Sequence, residues 1–124
     1  MSQFVDSNTK SFTADGAIKQ HALVRVTATG VATAGITHHA IGSATREAFA
    51  AGDEIAVKLL TGSGTHKVIA SAALAQGADV FTAASGKVGA SASTARRIGK
   101  LLEAAGADGD IVEMVFLSDG DAVA

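Results

Sequence analysis

The amino-acid sequence predicts an all-β fold, a β-sandwich or barrel of short strands with at most short helical turns, built from two internal repeats. The first observation is a long-range copy, in which residues 98–117 (IGKLLEAAGADGDIVEMVFL) match residues 41–60 (IGSATREAFAAGDEIAVKLL) at a constant offset. Both segments open with Ile-Gly, turn at Gly-Asp and end on the alternation of a strand with one buried face. The second observation is that short strand-like segments recur at regular, roughly ten-residue spacing between glycine turns, which is typical of sandwiches and barrels.

The copy extends towards the N-terminus if Lys87 is treated as a one-residue insertion. On the N-terminal side of this insertion the two copies are separated by one residue less, so Gly30 matches Gly86 and Val24 matches Val80. We therefore predict an N-terminal arm, one β-rich domain made of two repeats, and an acidic tail. The predicted boundaries are 1–10 for the arm, 11–60 and 67–117 for the repeats, 61–66 for the linker between them, and 118–124 for the tail.

In the first repeat, β-branched and alternating residues predict the strands. The predicted strands are 11–14, 23–28 and 54–60, with weaker short strands within 31–39 and 40–44. Residues 17–22 fit either one helical turn or a loop. Residues 45–51 (TREAFAA) have a helix-like composition, but the segment is too short for a stable helix, so we expect extended chain leading into a turn.

The second repeat is predicted to follow the same order. Its strands are expected at 67–71, 79–84, 87–92 and 110–117, with a turn or short helix at 72–77 and the second Ile-Gly within 97–104. An α/β sheet is the competing fold, because the Ala-rich segments SAALAQGA and IGKLLEAAGA have good helix propensity. The glycine in each segment limits such a helix to about two turns.

Glycine and aspartate mark the expected structural turns. Glycine reaches positive φ without steric cost, and aspartate hydrogen-bonds its own backbone. In the two Ile-Gly pairs, glycine also permits a bulge or a close approach of another backbone. The predicted turn residues are Gly30, Gly42, Gly52, Asp53, Gly86, Gly99, Gly109 and Asp110.

Composition excludes several classes of protein. Hydrophobic residues make up 48% of the 124 residues but aromatic residues only 4%, so the core must be built from small side chains, and part of the apolar surface is expected to lie between subunits. The net charge is −2 with scattered basic residues, which argues against a nucleic-acid partner. The chain has no Cys, no visible signal peptide and no uninterrupted apolar run that would span a membrane.

No group of residues predicts catalytic, cofactor-binding or metal-binding chemistry. His38 and His39 are adjacent, so on a strand they would point to opposite faces and could not easily share a metal. The segment 62–67 (GSGTHK) lacks the glycine that precedes the lysine of a phosphate-binding loop, so we interpret it as linker. Among the acidic residues between 103 and 110, only the last has an acidic counterpart in the first repeat, as expected of a turn residue.

Two short segments are candidates for contact with a partner. After Met1, Phe4 and Val5 are the large apolar residues of the polar arm, and Phe12 follows shortly after it. Such an arm is either disordered or added as a strand to a neighbour. Arg96 and Arg97 form the only pair of adjacent basic residues, which could contact an acidic partner surface, with a solvated face as the alternative.

One combination of motifs resembles a known family. Residues 85–88 (SGKV), a run of small residues, the Ile98-Gly99 pair and residues 109–117 (GDIVEMVFL) together resemble the capsid decoration, or cement, proteins of tailed bacteriophages. The resemblance is best over 73–117 and weaker over 17–60. It implies a β-rich structural virion protein, often a homotrimer, that is made in the bacterial host cytoplasm and binds the outer capsid surface where major capsid protein subunits meet. It also implies stabilisation of the shell against internal DNA pressure, with no catalytic residues and no cofactor.

Two other functions remain open at this stage. A small β-sandwich binding or display module on a phage tail or cell surface is the alternative from a different class. The absence of Trp and Tyr disfavours an aromatic platform for sugars in such a module. An enzyme would require a polar cluster in three dimensions, for which the available residues are His21, His38, His66 and Asp53.

Overall fold

The structure, a computed structural model, describes residues 9–36, 38–60, 65–90 and 97–116. These residues form ten β-strands and one short 3-10 helix, and they contain no α-helix, so none that could cross a membrane. The all-β prediction is therefore confirmed and the competing α/β fold is wrong. The strands are β1 (Thr9–Thr13), β2 (Leu23–Val26), β3 (Val31–Thr33), β4 (Gly42–Ala44), β5 (Glu54–Leu59), β6 (Thr65–Ile69), β7 (Asp79–Thr82), β8 (Val88–Gly89), β9 (Arg97–Leu101) and β10 (Ile111–Phe116), and the 3-10 helix is Ala84–Gly86.

The strands form two five-stranded antiparallel sheets of identical topology. Their orders are β1-β5-β4-β2-β3 and β6-β10-β9-β7-β8, so each strand of the first sheet has a counterpart in the second. A single parallel bridge, Ala14 with Val31 in one sheet and Ala70 with Val88 in the other, brings the two edge strands of each sheet together. Each repeat is thus a small, partly closed barrel, and the prediction of two repeats is confirmed.

Alternation along the last strand of each repeat sets the register of the barrels. Ile55 and Val57 are buried in the first core, and Val112 and Met114 are buried in the second. Since successive side chains of a strand point to opposite faces, a slip of one residue would expose these side chains. The first strand of each repeat pairs with its last strand, β1 with β5 and β6 with β10. Each barrel therefore closes only when the two ends of its repeat come together.

The segment 17–22 is a loop, as one of the two sequence-based alternatives proposed. Ile18 and Ala48 exchange two backbone hydrogen bonds, with N–O distances of 2.9 and 2.8 Å, and Leu74 and Ala105 repeat this pair in the second barrel. Ile18 and Ala48 are also buried. The helix-like segment 45–51 is therefore held as irregular chain against another loop, because its hydrogen bonds go outside the segment.

The glycines of the two Ile-Gly pairs lie within strands rather than at turns. Gly42 is in β4 and Gly99 is in β9. A Cβ at Gly42 would overlap the carbonyl oxygen of Lys58, and one at Gly99 would overlap the carbonyl oxygen of Val115. The Ile-Gly pair thus recurs because the neighbouring strand passes too close for any side chain.

The two repeats contact each other through the 3-10 helix of the second. The N–H of Gly86 donates to the carbonyl oxygen of Ala34 at 2.8 Å, and a Cβ at Gly86 would come within 2.9 Å of Ala22 Cβ and Thr33 Cγ2. Inserted Lys87 directly follows this helix, and its Nζ pairs with Asp108 at 2.8 Å. The one-residue insertion therefore coincides with the segment that joins the repeats.

The two cores also exchange residues across this contact. Leu23, Ala34 and Leu60 of the first repeat pack in the core of the second, whereas Ile69 of the second packs in the core of the first. The side chain of Lys58 also donates to the carbonyl oxygen of Thr65. The two barrels are therefore packed against each other through a shared core contact.

Candidate binding surface

The most exposed large apolar side chain among the described residues is Phe49, which is 77% exposed. It lies on the turn between β4 and β5. The backbone N–H groups of Phe49 and Ala50 both donate to Asp53 Oδ2, at 2.8 and 3.2 Å. Next to them, Ala14 and the Gly52-Asp53 pair exchange two backbone hydrogen bonds of 2.8 Å. The aromatic ring therefore projects from a backbone that is fixed on both sides.

The second repeat builds the same turn without the aromatic ring. Asp110 Oδ2 accepts from the N–H groups of Gly106 and Ala107, at 2.8 and 3.1 Å. Gly52 and Gly109 occupy the corresponding positions and have φ values of 96° and 95°. Because the turn folds with glycine in place of Phe49, the ring is not needed to form the turn.

Four further large apolar side chains are exposed among the described residues. Val26 is 56% exposed and Ile111 is 52% exposed, while Ile36 and Leu102 are less exposed. The position of Val26 is filled in the second repeat by Thr82, whose hydroxyl donates to the carbonyl oxygen of Ile36 at 2.7 Å. Exposed apolar residues in a chain with a small core are consistent with burial against a partner.

A hydrogen-bonded cluster around Asp15 fixes the turn between β2 and β3. Thr29 Oγ1 donates to Asp15 Oδ1 at 2.8 Å, Thr27 Oγ1 donates to Asp15 Oδ2, and the N–H of Gly30 donates to Thr27 Oγ1 at 3.0 Å. The bonds from Thr27 and then Thr29 lower the pKa of Asp15 below its usual value. A carboxylate that is held ionised in this way suits a structural tie and not a general acid.

A wide concavity lies beside the contact between the repeats. Two adjoining cavities of about 550 Å³ each share Lys19, Glu47 and Ser85 in their walls. His38 lines the first of them, and its Nδ1 accepts the N–H of Gly35 at 2.8 Å. Its ring is thus engaged with its own loop.

The four residues that an enzyme would have to bring together have separate roles. His38 is bonded to Gly35, Asp53 caps the turn of Phe49, and His66 is buried in the second barrel. His21 lies in a left-handed backbone conformation at φ 71°, the position that Gly77 takes in the second repeat. Within residues 9–36, 38–60, 65–90 and 97–116, no three His, Cys, Asp or Glu residues are grouped to hold a metal ion.

Comparison with known proteins identifies the family of this chain. Residues 4–116 match a sequence model described as phage cement protein. The chain belongs to the phage cement protein family. It is thus a structural protein of a phage virion that associates with the capsid.

This cement protein is similar in fold to a solved phage structure. That structure is the N base of the head fibre protein gp8.5 of bacteriophage phi29, and the two are 18% identical with a TM-score of 0.70 over 88% of this chain and 92% of that chain. At this identity the likeness concerns the fold. Among curated proteins, none matches this chain.

The contact residues predicted for the cement protein fall into two groups. Phe4, Val5 and Arg96 lie outside the described residues. Phe12 lies in β1 opposite Ile55, is partly buried against the first core, and has the ammonium of Lys10 at 5.8 Å from its ring centroid.

Arg97 lies in β9 and is engaged within the protein. Its Nη2 is 3.2 Å from Asp79 Oδ1, which also binds Lys100 Nζ at 2.8 Å. Phe49 was not among the predicted contacts, although the sequence carried a signal for it. An aromatic residue stands in one copy at a position where the other copy has glycine, Gly106.

Proposed function

We propose that this cement protein decorates the outer surface of a phage capsid and stabilises the shell by bridging major capsid protein subunits. The observation that carries the proposal is the family match over residues 4–116. The described residues support it because Phe49, on a hydrogen-bonded turn, presents an exposed aromatic side chain that the fold itself does not use.

The proposed mechanism is mechanical and thermodynamic. A protein that binds adjacent subunits of the assembled shell, but not separated subunits, shifts the equilibrium towards the assembled state. Many copies on a symmetric shell add modest interfaces into a large total, because each further contact on a bridged subunit is effectively intramolecular. The activity requires no bond-making step, so we propose no enzymatic reaction and no cofactor. We also propose that the protein acts as a homotrimer, with each chain of 12.3 kDa offering the same contacts in triplicate.

Binding to capsids that lack the protein tests the proposal. Purified protein is mixed with such capsids, pelleted with them, and the temperature at which the shells release their DNA is measured. Co-sedimentation with a raised release temperature supports a stabilising cement function. Binding without any rise would contradict the stabilising role, and no binding would contradict capsid decoration. Light scattering on the free protein gives the number of chains in the particle.

We predict that Phe49 is an anchor of the capsid contact. Phe49→Ala should weaken capsid binding by at least about tenfold, because buried aromatic anchors contribute more than about 1–2 kcal/mol. The unfolding midpoint in urea should stay unchanged, since the side chain is 77% exposed and Gly106 occupies the same turn. Ile111→Ala, at another exposed apolar position, is the comparison: a smaller loss of binding than in Phe49→Ala supports an anchor at Phe49, and an equal loss contradicts it.

We also predict that the arm contributes to binding through Phe4 and Val5. The structure begins to describe the chain at Thr9, where β1 pairs with β5, so a chain that starts at Thr9 retains the whole strand. This shortened chain should fold with unchanged stability and pellet with capsids more weakly. Undiminished binding would refute the role of the arm and leave the contact of Phe49 to be judged separately.

A further inference from the structure

His66 is a buried histidine inside the second barrel. It is 1% exposed and lies in β6 opposite Met114 of β10. Its side chain shares a face of the sheet with Val68, Val112 and Met114, which all belong to the second core. Among the described residues, neither ring nitrogen has a partner in hydrogen-bond geometry. The imidazole therefore faces the apolar second core without a partner in hydrogen-bond geometry.

Burial and a neighbouring positive charge both disfavour the protonated form of the ring. Burial lowers the pKa of His66, the ammonium of Lys58 in β5 lowers it further, and the backbone of Leu60 opposes part of the shift. The charged neighbours on the paired strands, Lys67 and Glu113, point to the opposite face of the sheet because they alternate with His66 and Met114. On that face, the carboxylate of Glu113 accepts a hydrogen bond from the hydroxyl of Thr65.

The first barrel lacks this group. Lys10 occupies the corresponding position, opposite Val57, and it is partly exposed. Its ammonium lies 5.8 Å from the ring centroid of Phe12. A lysine with a long apolar stem keeps its charged end near water, so no ionisable ring is buried at this position. The two repeats therefore differ at one core position in their response to mild acid.

We propose that His66 makes the second barrel an acid-sensitive element, whose core opens at β6 when the imidazole is protonated. Among the described residues, a charged ring would have the backbone of Leu60 as a weak acceptor outside hydrogen-bond geometry, and it would face the ammonium of Lys58. Opening of β6 would hydrate the ring and would also release the contact of Lys58 with Thr65, which joins the repeats. The first barrel, with Lys10 in this place, keeps its structure under the same conditions.

The direction of the pH dependence follows from the lowered pKa. In the unfolded chain a histidine titrates near pH 6.5, so the stabilising effect of a neutral His66 is complete above about that pH. Stability is lost as the pH falls below it, because the open chain takes up a proton more readily than the folded one. Between pH 8 and pH 5 the unfolding constant should rise by up to about 30-fold from this group.

The effects of other titrating groups on stability can be distinguished from that of His66 by their pH range or by a control variant. Asp15 and Asp79 have pKa values below their usual range, so their effect appears only under more acidic conditions, below about pH 4. His21 also has a pKa lowered by burial and by Lys67, so its contribution to stability falls in the same direction as the pH drops. His21→Asn is the matched control, because asparagine tolerates the left-handed backbone conformation of this position.

The test measures urea unfolding of the full chain at pH 5, 6, 7 and 8. His66→Met, which fills the space with an apolar side chain, should remove most of the loss between pH 8 and pH 5, whereas His21→Asn should retain it. A full pH dependence in His66→Met would overturn the proposal. NMR titration of the unaltered chain gives an independent readout: a ring pKa of His66 at or above about 6.5 would also overturn it. Hydrogen exchange at pH 5 should show lost protection in β6 and β10 before β1 and β5, and uniform loss would contradict opening confined to the second barrel.

Discussion

Gly99→Ala is expected to destabilise the protein by at least about 3 kcal/mol, more than a typical overpacked site. The new Cβ would overlap the carbonyl oxygen of Val115 and lie 3.1 Å from Met114 Cγ. The obstacle is backbone, and β10 cannot withdraw because it is paired with β9 on one side and β6 on the other. Urea unfolding followed by circular dichroism measures the change.

Gly16→Ala is the control for this prediction. A Cβ at Gly16 meets nothing within 4 Å, and Gly16 is not at positive φ, so the change should stay within about 0.5 kcal/mol. Gly42→Ala should reproduce the effect in the first barrel, because Lys58 there takes the place of Val115. Equal stability of the Gly16 and Gly99 variants would show that the strands separate at no cost.

Leu101→Ala is expected to cost about 2–5 kcal/mol, the range for a fully buried leucine. Leu101 is 1% exposed in the second core, whereas its neighbour Leu102 is 40% exposed. The same truncation at Leu102 removes little buried surface and should cost less than about 1 kcal/mol. Chemical denaturation of both variants provides the comparison, and similar losses would mean that β9 is in a different register.

The repeat and its insertion were predictable from sequence because burial imposes a strict alternation on the closing strands. In the structure β5 and β10 have the same extent, Glu54–Leu59 and Ile111–Phe116, and β2 and β7 also match in extent, but at an offset shorter by one residue. Lys87 accounts for the change of offset between the two pairs. In the two Gly-Asp turns, the carboxylates of Asp53 and Asp110 accept equivalent hydrogen bonds from backbone N–H groups.

Pairing between distant segments of the chain determines the features that the local sequence did not reveal. β6 begins at Thr65, within the segment assigned to the linker, because β10 offers it a partner along its whole length. Nothing in the local sequence therefore indicated that His66 is buried. Phe49, in a segment of helix-like composition, would ordinarily be expected in a core. Its exposure follows from the loop pairing of Ala48 with Ile18, which turns the next residue outward.

The insertion of Lys87 has a consequence for how far such a duplicated chain can assemble. A head-to-tail contact between equivalent units continues into an open fibre unless one unit fails to offer the matching surface. Here the second barrel makes that contact through Gly86, whereas the equivalent turn of the first barrel is one residue shorter and is tied to Asp15. We therefore expect the first barrel to act as a terminal cap, comparable to the end units of solenoid proteins, so that this contact does not continue from chain to chain.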